Sequence, residues 1–169
     1  MPDTLIIDGY NVIHHDDGMK SVLNNYGPEE ARSALISVLC KLPLSRDDRI
    51  IVVFDGKSGV GDGPTEKAPK GIKIVFSKGS DTADTVIERM IYQQKSNKCT
   101  TVVSRDNHLR DLCIGLGAGV MSPDNFLSEI SVNRKANTQG SRHANARGPL
   151  RAPLEEMIGK WSANEDDES

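Results

Sequence analysis

Five aspartates stand where a chain of alternating strands and helices can bring carboxylates together. Asp8 closes the apolar run Leu5-Ile6-Ile7, and Asp55 closes Ile51-Val52-Val53-Phe54. Asp106 follows the apolar stretch 100–104 by one residue, and Asp81 and Asp84 lie at or near the start of a helical stretch over 81–94. Carboxylates gathered at one place repel one another and resist ionising. A divalent cation with a preference for oxygen, Mg²⁺ or Mn²⁺, relieves that repulsion. It also activates water and stabilises charge developing on a phosphodiester. Each residue has a plainer reading as well. Asp55-Gly56 is a turn signal, Asp81 and Asp106 suit helix N-caps, and Asp84 favours a helix dipole. Asp8 is harder to reduce to a turn, because a carboxylate ending so apolar a strand needs a partner.

These aspartates depend on the elements that carry them. Continuous apolar runs at 4–8, 49–54, 72–76, 100–104 and 118–121 read as buried strands. Helical periodicity covers 28–42, 81–94, 107–116 and 124–130, the last opened by Ser122-Pro123 as N-cap and first position. Residues 56–71 are rich in Gly, Pro and Lys and read as a loop. Strands without polar alternation, separated by helices, imply an α/β fold: a mostly parallel central sheet flanked by helices on both faces. In such a sheet every strand ends on one edge, and ligands bind there at the topological switch point.

A domain over residues 1–130 is therefore expected, followed by an extension over 131–169. The extension is basic first, with Arg134, Lys135, Arg142, Arg147 and Arg151 and no acid through Pro153, and then acidic. It is expected to be largely flexible, with a short amphipathic helix near 154–161 from Leu154, Met157, Ile158 and Trp161. The net charge of −3 does not by itself announce a polyanion ligand. Lys57, Lys67, Lys70, Lys73 and Lys78 nonetheless punctuate the loop and the strand after it, near the acidic positions. A positive rim of this kind would attract a phosphate backbone. Three cysteines with no paired spacing suggest reduced thiols, with Cys40 and Cys113 buried in helical patterns. The opening residues lack a basic segment and a long apolar core, so no signal peptide is expected, and no run approaches membrane-spanning length. The cytoplasm is the expected compartment.

Other chemistries fit less well. Gly56-Lys57-Ser58 fails as a phosphate loop, because Ile51 stands where its first glycine is required. Tyr10, two residues after Asp8, weakens an aspartyl-nucleophile phosphatase. His14 and His15 could face the site but suit a solvated loop better, His108 suits a helix surface better than a general base, and Tyr10 suits either base stacking or packing at the sheet edge.

Four segments resemble one family. Leu5-Ile6-Ile7-Asp8-Gly9-Tyr10-Asn11-Val12-Ile13 is similar to the opening motif of NYN domains of the YacP group. Val52-Val53-Phe54-Asp55-Gly56, Ser80-Asp81-Thr82-Ala83-Asp84 and Val102-Val103-Ser104-Arg105-Asp106 resemble its later motifs, in the expected order. The resemblance implies a PIN-like Rossmannoid fold and Mg²⁺- or Mn²⁺-dependent endoribonuclease activity, in some members on ribosome-associated messages. By motif, Asp8, Asp84 and Asp106 match the core acidic positions, Asp81 an assisting one, Asn11 the amide of the first motif, and Asp55 an outer ligand. Lys57, Lys67, Lys70, Arg105, Arg134 and Arg142 are the expected RNA contacts. A non-catalytic RNA- or ribosome-binding module is the main rival, and a small-molecule phosphohydrolase a second. The sequence leaves oligomeric state open.

Overall fold

Strand β1 (Thr4–Asp8) occupies the middle of the sheet because both of its faces are apolar. It pairs in parallel with β2 (Arg49–Phe54) on one side and with β4 (Thr100–Val103) on the other. β3 (Ile72–Phe76) and β5 (Gly119–Met121) form the edges, giving the order β3-β2-β1-β4-β5, parallel throughout. The structure is a computed structural model that describes residues 4–44, 48–56, 71–94, 97 and 99–140.

Strand alternation divides the core into two layers. Leu5 and Ile7 face a cluster that includes Leu35 and Leu39 of α3 (Pro28–Leu39) and Phe126 of α6 (Pro123–Gly140). Ile6, Val53 and Val102 face a second cluster, with Ile87 and Ile91 of α4 (Ala83–Gln93) and Leu109 of α5 (Asn107–Gly115). The expected sheet, covered on both sides, is thus present. Among the described residues no helix is long and apolar enough to cross a membrane.

The departures from the sequence reading lie in the helices. Two unforeseen helices, α1 (Gly9–His15) and α2 (Asp17–Tyr26), stand between β1 and α3, so His14 and His15 are helical. Asp8 caps the first of these through the Asn11 N–H at 3.4 Å, and Asp16 caps the second through the Met19 N–H at 2.8 Å. Helix α3 stops at Leu39, and Cys40, at its C-cap, is exposed instead of buried; Cys113 is buried as expected. Helix α6 continues ten residues beyond the expected stop at residue 130, because neither Gly nor Pro interrupts it before Gly140. Within the extension expected to be flexible, the backbone through 140 is therefore helical; residues 141–169, including the short helix expected near 154–161, lie outside the described residues.

The Asp-Gly pairs that close β1 and β2, Asp8-Gly9 and Asp55-Gly56, serve close approach as well as turning. A Cβ on Gly9 would stand 2.2 Å from the Phe54 ring, and one on Gly56 would stand 2.1 Å from the Ser77 carbonyl oxygen. Neither position has a positive φ, so it is the missing side chain that matters there.

Candidate active site

The alternation that sorts the core also aims the carboxylates. Asp8 follows Ile6 by two residues, and Asp55 follows Val53 by two, so both continue the side of the sheet that packs against α4. Asp84 enters from above, in the first turn of α4, while Thr82 caps that helix through the Thr85 N–H at 3.3 Å. Asp106 caps α5, accepting the Leu109 N–H at 2.8 Å. Its own N–H is held 3.1 Å from the hydroxyl of buried Ser104. Since β1→β2 and β4 diverge to opposite sides, the ends of β1 and β4 form the switch point of the sheet.

The carboxyl groups of Asp8 and Asp84 meet there, and their contact favours a proton on Asp8. Burial is the largest cause that pushes Asp8 up, from 3.8 to about 7, and the Asp84 charge adds to it; the Asn11 N–H opposes both. Asp84 is raised chiefly by burial, then by the charge of Asp106; its bond with Asp8 opposes the rise, Asp55 adds to it, and His108 opposes it. Asp84 thus senses Asp8, Asp106 and Asp55, and Asp8 senses Asp84 and Asp106, across β1, β2, α4 and the β4–α5 turn. Helix N-termini soften the repulsion, because Asp8 and Asp106 cap helices and Asp84 lies in a first turn. Capping and clustering are two uses of the same carboxyls.

Among the described residues, no group of three or more His, Cys, Asp or Glu side chains is disposed to hold one ion. The intimate unit is the Asp8–Asp84 pair, with Asp106 and Asp55 acting on it through their charge. Asp81 is placed elsewhere: its Oδ2 forms an ion pair with Arg89 Nη2 at 2.9 Å, and it is not among the groups that shift Asp8 or Asp84. Asp55 is tied to the Ser77 hydroxyl at 3.1 Å, and that hydroxyl also accepts the Gly56 N–H at 2.9 Å.

Asn11 bridges the two turns that carry Asp8 and Asp106. Its Oδ1 accepts the Arg105 N–H at 3.1 Å. One helical turn further on, His15 Nδ1 lies 2.7 Å from the Asn11 carbonyl oxygen, and His15 Nε2 lies 2.8 Å from Arg105 Nη1. Tyr10 packs at the sheet edge, edge-on to Phe54 at 5.2 Å, and its hydroxyl accepts from Arg32 Nη1 at 2.9 Å. Arg32 lies over the Phe76 ring at 5.4 Å. Sequence does not single out Ser104, Ser77 or Arg32, and it assigns His15 and His108 to a loop and a helix surface; Ser104 lies inside a motif and His15 just after one. Of the expected RNA contacts, Arg105 is exposed at the site; Lys57, Lys67, Lys70 and Arg142 lie outside the described residues, and so does the side chain of Arg134.

An all-parallel α/β sheet with acidic residues gathered at its switch point defines the class as a PIN-like domain. The family is equally definite. A family model of the YacP-like NYN domain matches residues 5–163. The Bacillus subtilis protein named as uncharacterized protein YacP is 32% identical over 132 residues, covering 76% of this chain and 75% of that protein. Two crystal structures of Bacillus subtilis Rae1 (YacP) share the fold at 24% identity. A mutant form gives a TM-score of 0.70 over 95% of this chain and 98% of that one, and the other structure gives 0.65 over 97% and 89%. The chain belongs to the YacP-like NYN family, which points to a nuclease-type, RNA-related role.

Proposed function

We propose that this chain is an Mg²⁺- or Mn²⁺-dependent endoribonuclease whose working centre is the Asp8–Asp84 pair. The observation that carries this reading is the meeting of two carboxyls, Asp8 and Asp84, at the switch point, in the field of Asp106 and Asp55. Two adjoining carboxylates that resist losing their proton are a suitable donor set for a hard divalent cation. Mg²⁺ commonly takes one or two carboxylates and keeps water for its remaining positions. When bound, such an ion supplies an activated water and charge stabilisation at the phosphate.

The chain's own groups do the rest. Asp8 and Asp84 would hold the ion, and Asp106 and Asp55 would favour its binding by their negative charge. Asp81, neutralised by Arg89, would steady the start of α4. Asn11 would keep the Asp8 and Asp106 turns in register through Arg105. The exposed Arg105 guanidinium, beside this centre, would contact RNA phosphate, as would the lysines of 57–70. RNA, including RNA on ribosomes, is the proposed partner, and the cytoplasm the proposed compartment.

Single-turnover cleavage of a long unstructured RNA tests the reading. Asp8→Asn should fold, bind RNA in EDTA as the wild type does, and fail to cleave with either cation. Cleavage at the wild-type rate by the folded variant overturns the role of Asp8. A wild type that binds RNA or ribosomes but cleaves neither free nor ribosome-bound RNA supports the binding-module reading instead.

A further inference from the structure

Arg105 is gripped at two points by the same short helix. Its backbone N–H donates to Asn11 Oδ1 at 3.1 Å, and its Nη1 lies 2.8 Å from His15 Nε2. A guanidinium only donates, so His15 Nε2 must be the acceptor. The Asn11 carbonyl oxygen only accepts, so His15 Nδ1, 2.7 Å away, must carry the proton. The two contacts together select the Nδ1–H tautomer and fix the plane of the ring, since each nitrogen has one defined partner.

Without such a grip, an exposed arginine samples many rotamers, and ordering it on a phosphate costs side-chain entropy. The bond to His15 uses Nη1 and leaves the rest of the donor fork available to an anion. The guanidinium is then a preset donor next to the carboxyl cluster, since Arg105 immediately precedes Asp106. We propose that His15 is a positioning residue that holds Arg105 as a phosphate clamp for the RNA strand entering the carboxylate centre. This rests on the nuclease reading for its substrate, but the clamp itself is a binding device and is measurable without cleavage.

The test is a double-mutant cycle on binding of a fluorescently labelled oligouridylate in EDTA, using His15→Ala, Arg105→Ala and both together in the full chain. Arg105→Ala should weaken binding about tenfold, as expected for one charge-assisted phosphate contact. It should also flatten the salt dependence by about one contact, a slope change of roughly 0.7 for single strands. His15→Ala should weaken binding about threefold through lost preorganisation. In the Arg105→Ala background, His15→Ala should change nothing further. His15→Gln, which offers an acceptor on a shorter reach, should recover part of the loss only when Arg105 is present. Thermal unfolding of each variant identifies any that fails to fold; if His15→Ala does so, the cycle is run with His15→Gln.

An equal loss from the His15 substitution in both backgrounds overturns the clamp, and so does wild-type affinity in folded Arg105→Ala. Absence of RNA binding by the wild type overturns it as well. Coupling between the two residues without any cleavage keeps the clamp and removes the nuclease reading; cleavage without coupling does the reverse.

Discussion

Asp84 and Asp81 lie three residues apart, on either side of the Thr82 cap of α4, yet they meet opposite fates. Asp84 faces Asp8, Asp106 and Asp55, and its carboxyl is driven toward the protonated form. Asp81 faces Arg89 and has its charge cancelled at 2.9 Å, partly in solvent. The difference shows what separates a carboxylate whose charge is opposed from one whose charge is satisfied: the sign of the charges around it and the water it has lost. The inner pair stores repulsion that binding can release. The outer pair stores none.

The comparison breaks most sharply at Asp8. Asp8→Asn should lower cleavage by several orders of magnitude while leaving a folded protein, whereas Asp81→Asn should leave cleavage within a small factor of the wild type. The next largest effect is on stability against pH. Asp8 titrates near 3.8 in an unfolded chain and near 7 in the folded one, so the folded state binds the proton more tightly. Stability of the metal-free protein should therefore fall as pH rises from about 4 to about 7, by a few kcal/mol at most. Urea unfolding in EDTA across that range reads the slope, and Asp8→Asn should largely flatten it. Mg²⁺ or Mn²⁺ should restore stability at the alkaline end, because a cation favours the deprotonated pair. A slope unchanged by Asp8→Asn would place the repulsion elsewhere.

Smaller effects sharpen the boundary between inner and outer residues. Gly56→Ala drives a methyl into the Ser77 carbonyl and should cost about 1–3 kcal/mol of stability. It should loosen Asp55 from Ser77 while the folded fraction still cleaves, if Asp55 acts only through its charge. Asp81→Asn removes a partly exposed ion pair and should cost no more than about 1 kcal/mol in thermal unfolding.

The strands were legible in the sequence because a buried parallel strand is a continuous apolar run, and Leu5 through Ile7 or Ile51 through Phe54 allow no other reading. The convergence of Asp8, Asp84 and Asp106 followed from those strands and from the common edge they share. What escaped was local or distant in sequence. Helix α2 shows its apolar face only at Met19, Val22 and Leu23, among charged residues and a glycine, so its periodicity is faint. The identity of its cap, Asp16, was hidden in a run that resembles a solvated loop. The pairings of Arg105 with His15 and of Asp55 with Ser77 join residues far apart in the chain, and no spacing rule specifies them. Asp81 looked equivalent to Asp84 because sequence does not fix the residue at which the helix starts, and Asp81 falls just before the Thr82 cap, where it meets a cation.

The placement of β1 two strands from either edge has a kinetic meaning. Backbone amides there exchange with solvent only when the sheet parts on a side, which in such folds approaches complete opening. Asp8 is mounted on that central strand, where exchange is expected to be slowest, while Arg105 and its partners sit on the turns and helix ends around it. Local opening of those turns and helix ends is then expected to leave the spacing of the acidic centre unchanged.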